Sequence, residues 1–515
     1  MSAPPATSGS PIKHNPLTGY ESRTTSLSTY RGKLNKAMSG FFVGPMPVDQ
    51  FLQEFLPSST RRTPKIPKDE FKTVPINGAE DSMYPPFMKI IQDRKLIPNY
   101  KIVNTSHTPD RQSVYNMKPD PTIYRDSFDI SGGATNFAEL ELSCELKPKE
   151  SYDAFRDPTP HDDLLTFEFE NTTKHGNDTR SQIAHYATET LARQHRSFFF
   201  SVLIAGAYMR FIRWDRAGAI VTERFNYRDN CHDFVEFLWR YTHLDDAARG
   251  LDPTVRRATE QEARLARTAL HDWKPQQLDR PLVVFTVPGI DGKPREFIAW
   301  ASMTEPDTVT GRCTRAYPVF EIASGKRYFL KDSWRASDLN PEGEILKVIS
   351  EKVARVPRFL CGGDILNDVT LTDLFVPGLE EEENSNSDPA GAQNSATDDD
   401  PGLFPAPPPL PDKRNFEQWL CGNSWSHITH RIHHRFVVDF IGRPIKTFKS
   451  SKQLVQVAYD AYTAYREVYN LFKILHRDIS AMNILIDAEG RGVLNDWDLA
   501  KEESKLKHGR RHERT

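Results

Sequence analysis

Cysteine is scarce in this chain: five in 515 residues (Cys144, Cys231, Cys313, Cys361 and Cys421), odd in number and with no C-x-x-C pair. That excludes a disulfide framework and a cysteine zinc site, and it fits a reducing compartment, cytoplasmic or nuclear. Charge excess of either sign is equally lacking, since 67 Lys+Arg against 70 Asp+Glu leave a formal net charge of −3. No global basic surplus is therefore available to neutralise phosphates, and there is no strong nucleic-acid signal. Long apolar runs are missing too. The longest, SFFFSVLIAGAYM at 197–209, is bracketed by Arg196 and Arg210 and falls short of a membrane span. It reads as buried strand. The first residues, MSAPPATSGSPIKHNPLTGYES, have no cationic start leading into an apolar core, so they are not a signal peptide. There is no internal repeat.

Proline, in contrast, is plentiful at 37, and apolar residues make up 38% of the chain. The length suits two or three domains. Composition divides the chain at 380–414. EEEENSNSDPAGAQNSATDDD carries eight acids and no base, and PGLFPAPPPLP follows with six prolines. The first part self-repels; the second favours extended polyproline II. APPPLP, within 405–411, fits a Pro-binding module, against the plainer reading of a solvated spacer. Before this insertion, residues 1–40 read as disordered, 41–275 as an α/β domain and 276–379 as a β-rich unit. Within 41–275, strands are expected at 164–170 and 219–225. A helix is expected at 181–195, with Ile183, Ala184, Ala187 and Leu191 on one face, and a second at 254–270. From 281 the runs PLVVF, EFIAW, AYPVFEI and KRYFLK predict an antiparallel sheet. A second apolar block starts at Phe416.

The chemistry concentrates in ILHRDISAMNILIDAEGRGVLNDWDLA, residues 474–500. Upstream, Ser450 or Ser451 caps a helix whose apolar positions are Leu454, Ala458, Tyr462, Tyr465, Tyr469 and Phe472. It runs into His476-Arg477-Asp478. Asn483 follows five residues after Asp478, and a hairpin turning at 487–492 leads to Asp496-Trp497-Asp498. One Asp to take a hydroxyl proton, with an Asn and a second Asp as hard oxygen ligands for Mg²⁺, is the set phosphoryl transfer needs.

These residues resemble the protein-kinase superfamily, and more closely the fungal-type protein kinase family. The likeness also rests on GRCTRAYPVFEIASGKRYFLKDSWR (311–335) and RQHRSFFFSVLIAGAYMRFIRWDRAGAIVTERF (193–225). The resemblance implies an α+β, protein-kinase-like fold with a β-rich small lobe at 276–379. The small lobe's end, the hinge, the catalytic loop and a partial helical large lobe fall at 415–515. It implies ATP and Mg as cofactors and a protein substrate, with Ser/Thr as acceptor. By the same resemblance Asp478 is the catalytic base, and Asn483 and Asp496 hold metal. Lys331 grips the nucleotide phosphates, with Glu342 as its partner and Glu344 as the alternative. Gly311 belongs to the phosphate loop, and Phe440 and Ile441 to the adenine-binding hinge in FVVDFIGRPI. Departures from the family pattern are Cys313 and Ala316 where glycines are usual, Ser480 in place of a lysine, and Asp498 in place of a glycine. Ser480 and Asp498 keep a small-molecule phosphotransferase open as the alternative. Only fifteen residues follow Ala500, so the sequence reads as a kinase cut short. A pseudokinase or scaffold is then the third reading, with apolar side chains near Tyr465, Phe472 and Ile474 left exposed.

Two weaker signals remain. Asp120, then Glu145-Leu146-Lys147, then Gln182 and Tyr186 resemble the restriction-endonuclease-like fold, in which two carboxylates hold Mg²⁺ and a lysine orients water. His427, His430, His433 and His434 match no zinc spacing and read as a solvated polar strand or turn.

Overall fold

The computed structural model describes residues 27–58, 61–113, 115–273, 280–378, 403–404, 408–422, 425 and 427–508. Its first half runs α1 (Leu27–Met38), β1 (Phe42–Met46), α2 (Val48–Phe55), α3 (Tyr84–Asp93), β2 (Tyr100–Asn104), β3 (Pro121–Arg125) and β4 (Leu142–Lys147). Then come α4 (Lys174–Arg193), β5 (Phe199–Ala205), β6 (Tyr208–Trp214), β7 (Ala219–Thr222), β8 (Phe225–Asn226) and α5 (His232–His243). The strands form a mixed sheet in the order β1-β7-β6-β5-β4-β3-β2, with β8 on β6. The pairs β1/β7 and β4/β5 are parallel. The apolar run at 197–209 spans the turn of a hairpin, β5 against β6, rather than one strand. Gly206 makes the turn at φ +59°, where a Cβ would lie 2.9 Å from the Glu150 backbone nitrogen.

The second half adds β9 (Val255–Arg257), α6 (Glu260–Ala269), β10 (Val283–Pro288), β11 (Pro294–Ala299), β12 (Arg315–Glu321), β13 (Lys326–Ala336), α7 (Glu342–Ile349), β14 (Phe359–Val369) and β15 (Arg431–Val438). These strands form one antiparallel sheet, β14-β15-β13-β12-β11-β10-β9. The four short β runs expected from 281 all lie in it. Beyond it lie β16 (Arg443–Pro444), α8 (Ser451–Phe472), β17 (Ile474–Leu475), β18 (Ile484–Ile486), β19 (Gly492–Leu494) and β20 (Lys501–Glu502). The Ser450 hydroxyl caps α8 by accepting from Gln453 N at 3.2 Å. Among the described residues no helix is long and apolar enough to cross a membrane.

Several expectations need correction. Residues 164–170 do not form a strand: 164–166 are turn, where Asp163 accepts from Leu165 N at 3.1 Å and from the Thr166 hydroxyl, a local bond that competes with a ladder, and only Glu170 bridges to Phe155. The stretch at 219–225 splits into β7 and the start of β8. At 254–270 only the second part is helix. Thr259 and Glu262 form a capping box that starts α6, and Val255–Arg257 joins the second sheet as its edge strand. That sheet therefore begins before residue 276. Part of the N-terminus expected to be disordered is α1, with Leu34 and Met38 buried; 1–26 lie outside the described residues. Most of the acidic and proline-rich insertion, 379–402 and 405–407, also lies outside them. Phe404 is nonetheless buried, and residues 408–411 of the proline-rich run are exposed.

Candidate active site

Lys331 stands on β13 opposite Phe436 of β15. Glu342 is the first residue of α7, where a carboxylate also complements the helix dipole. The two meet: Lys331 Nζ lies 2.5 Å from Glu342 Oε2 and 2.6 Å from Asp496 Oδ1. The other oxygen of Glu342 accepts from Trp497 N at 3.0 Å, so one acid ties the strand lysine to the Asp-Trp-Asp segment. Glu344 turns instead to Lys347, 3.4 Å away. Burial alone lowers the Lys331 ammonium, but Asp496 and Glu342 outweigh it and hold Lys331 above the ordinary lysine value. Burial likewise raises Asp496; Lys331 and Arg312 prevail and hold its carboxyl below the usual range.

The residues of the 476–483 loop are fixed by a relay of bonds. His476 is fully buried, its Nε2 lies 3.0 Å from Asn495 O, and its ring centre is 4.5 Å from that of Trp497. Burial pushes its pKa down. Asn483 donates from Nδ2 to Asp478 O at 2.7 Å and to Asp478 Oδ2 at 3.1 Å, and its own carbonyl accepts from Asn495 N at 2.8 Å. Asp478 and Asp496 are thus held to one another through Asn483. Arg477 and Asp496 both adopt left-handed backbone, at φ +68° and +64°, a strained conformation for these residue types.

Three buried oxygens here have no hydrogen-bond partner among the described residues: Asn483 Oδ1, Asp496 Oδ2 and Asp498 Oδ1. Unpaired buried acceptors of this kind are costly unless something binds them. Carboxylate oxygens of Glu342, Asp496 and Asp498 also lie within 4.8 Å of one another. The donor set is all hard oxygen, which fits Mg²⁺. Asp498, in the sequence only a departure from the usual glycine, therefore stands in the cluster itself. The signal was present in the sequence only as a second acid two residues after Asp496.

Gly311 lies in the loop between β11 and β12 at φ +100°. Its nitrogen donates to Arg216 O at 3.0 Å, so the first half of the molecule anchors this loop. The next residue, Arg312, reaches across to Asp498 Oδ2. Nothing in the sequence pointed to that ion pair. Phe440 and Ile441, both half-buried, come after β15, with Asp439 between. The histidines are not a solvated strand. His430, His433 and His434 are buried on or beside β15, paired with Asp373 (2.7 Å), Asp368 (2.6 Å) and Asp364 (2.8 Å). The carboxylates that make their burial tolerable come from other elements, which the local sequence does not show.

A family model described as fungal protein kinase matches residues 158–515. No curated protein matches the chain. Among solved structures it is similar to the ROP18 kinase domain in complex with AMP-PNP and sucrose. The identity is 15%, over 47% of this chain and 62% of that one, with a TM-score of 0.22. It is also similar to a Toxoplasma gondii specific rhoptry antigen kinase domain, at 13% identity over 48% and 61%, with a TM-score of 0.19. The chain spans less than two thirds of either kinase domain.

Proposed function

The chain belongs to the fungal protein kinase family, and from that membership and the site's geometry we propose that it transfers the γ-phosphoryl group of ATP to a protein serine or threonine. The observation that carries this reading is the meeting of Lys331 with both Glu342 and Asp496. A point cation held between two acids, beside unpaired carboxylate and amide oxygens, suits a polyphosphate with its metal. Lys331, oriented by Glu342, binds the α- and β-phosphates. The loop at Gly311 covers them, and the backbone at Phe440 and Ile441 receives the adenine. Asn483 and Asp496 would hold Mg²⁺, which when bound neutralises charge on the phosphate oxygens. Asp478 accepts the proton of the attacking hydroxyl, and Asn483 fixes its carboxylate through the 3.1 Å bond. A second reading, a small-molecule acceptor, is favoured by Ser480 and by Asp498 within the acid cluster.

The test is transfer of label from γ-labelled ATP by the full chain, offered protein acceptors and hydroxyl metabolites side by side. Labelled protein is expected. Asp478→Asn should cut transfer by about 10³-fold while ATP affinity stays level. Label in metabolites alone would select the second reading. Binding of ATP with no transfer would reduce the protein to a nucleotide-binding scaffold, and transfer indifferent to Asp478→Asn would remove the base assignment.

A further inference from the structure

Phe404 is the one buried side chain among the described residues of 403–415. The other large apolar side chains of this stretch face water, Leu403 at 44% exposure and Leu410 at 61%. Fixing a single ring from a proline-rich run costs chain entropy, which only a good fit on the receiving side can offset. That side belongs to the packing of the active site. Phe404 lies in one apolar cluster with Ile345, Leu346 and Ile349 of α7, and with Trp497 and Ala500, which follow Asp496.

Leu403 fixes where the ring enters. Its backbone nitrogen donates to Glu502 Oε2 at 3.2 Å. Glu502 is buried, its other oxygen lies 2.7 Å from Lys505 Nζ, and it stands opposite Ile474 where β20 pairs with β17. Strand β17 runs directly into His476-Arg477-Asp478. One dipeptide therefore packs with α7 and bonds to the strand pair that leads to Asp478.

Helix α7 has few means of its own to hold position. It is eight residues long, and no side chain caps its N-terminus. Helices this short are unstable alone, so packing sets where they lie. Yet Glu342, its first residue, meets two partners at once, Lys331 Nζ at 2.5 Å and Trp497 N at 3.0 Å. The bond beside it, from Gly343 N to His434 Nε2, is long at 3.3 Å. Truncating a buried aromatic leaves a void into which neighbours relax, and in this cluster the element most free to relax is α7.

We propose that Phe404 is a positioning residue for phosphotransfer: seated in the cluster of α7 and Trp497, it holds α7 where Glu342 grips Lys331. The insertion thereby supplies part of the active site's support, in the form of one aromatic side chain. The kinetic consequence rests on the phosphotransfer reading; the coupling between Phe404 and Glu342 does not.

The coupling is read without nucleotide, as the rate at which an amine-reactive acylating reagent labels Lys331 in the full chain, followed by mass spectrometry. Held by two acids at 11% exposure, Lys331 should label slowly in the wild type. Lys147, held by Glu145 and Glu80 at 12% exposure, is the internal comparison. In Phe404→Ala the Lys331 ammonium loses the counter-charge of Glu342, and its labelling should rise about tenfold while that of Lys147 stays level. Glu342→Gln should do the same, and adding Phe404→Ala to it should raise labelling no further, because the ring acts through Glu342. Effects that multiply in the double variant, a rise shared equally by Lys147, or wild-type labelling in Phe404→Ala overturn the proposal. Where Phe404→Ala does not fold, Phe404→Val is read by the same criteria. In transfer assays Phe404→Ala should cut kcat/KM for ATP by about tenfold or more. A wild-type chain that labels as expected but transfers no phosphate would refute the phosphotransfer reading and leave the coupling standing. Full transfer by Phe404→Ala would refute the positioning role alone.

Discussion

Arg312 reaches Asp498 across 186 positions of sequence. The pair closes an arrangement in which two cations, Lys331 and Arg312, face three acids, Glu342, Asp496 and Asp498. Lys331 and Glu342 were singled out only through the family resemblance, which left Glu344 open as the partner. Asp478, Asn483 and Asp496 were legible from their spacing, one loop and one hairpin separating them. The Arg312–Asp498 contact was not, since a loop residue's partner depends on how two distant segments pack. It has a measurable consequence. Arg312 helps hold Asp496 below the usual carboxylate range and occupies one oxygen of Asp498. Removing it leaves those oxygens with less counter-charge, so a divalent ion gains. Arg312→Ala should raise Mg²⁺ affinity of the nucleotide-free chain by about tenfold or more, read by calorimetric titration. The gain should vanish when Asp498→Asn is added, as a double-mutant cycle requires. Equal affinities of wild type and Arg312→Ala would show that the ion pair does not compete with metal.

At the scale of elements, α8 begins where the sequence placed it, yet its buried face is a different one. The apolar pattern pointed inward through Leu454, Ala458, Tyr462, Tyr465, Tyr469 and Phe472. The structure buries Val457, Ala461, Ala464 and Val468, with Asp460 among them, and leaves Tyr459 and Tyr462 more than half exposed. Ile474, expected to be exposed, is buried, while Tyr465 and Phe472 are partly covered. The reason is distance. The β18–β19 hairpin lies so close to α8 that a Cβ on Gly492 would sit 2.2 Å from Val457 O, a contact between two backbones. Only small side chains fit such an approach, and hydrophobic spacing carries no information about it. Asp460 then locks the hairpin on, accepting from Gly492 N at 2.9 Å and pairing with Arg491 at 2.6 Å. Gly492→Ala should therefore force the hairpin off the helix and destabilise the protein by about 3 kcal/mol, seen as a lower urea midpoint. Ala461→Gly, which leaves the close approach intact, should cost about 1 kcal/mol. A Gly492→Ala loss no larger than that would mean the contact yields easily.

For the whole molecule, composition suggested separable units, and the structure interlocks them. Strand β9 enters the second sheet from within the stretch that composition assigned to the first domain, 41–275, and residues near 415–421 return to the first sheet's domain, where Trp419 donates to Gln50 at 2.9 Å. Composition cannot register such crossings, because each segment is ordinary in itself. A buried charge network seals the join. Arg315 of β12 donates to Gln194 O at 2.8 Å and lies 3.0 Å from His195; Arg435 of β15 pairs with Asp252 at 2.6 Å and Asp332 at 2.8 Å. His433 stands between Asp332 (2.8 Å) and Asp368 (2.6 Å), its ring stacked on Trp334. Burial lowers the imidazole's affinity for its proton, but the two carboxylates win and raise His433 from 6.5 to about 9. A histidine raised in the folded state contributes stability that is fully present below its unfolded value near 6.5 and is lost as pH climbs through about 9. The shift corresponds to roughly 3 kcal/mol. Wild-type stability should accordingly fall between about pH 7 and pH 9.5 in urea titrations. His433→Asn, less stable at pH 6.5, should lose little more over the same interval, so that the two curves converge. Curves that instead run parallel across this window would show that His433 is not the proton whose loss loosens the join.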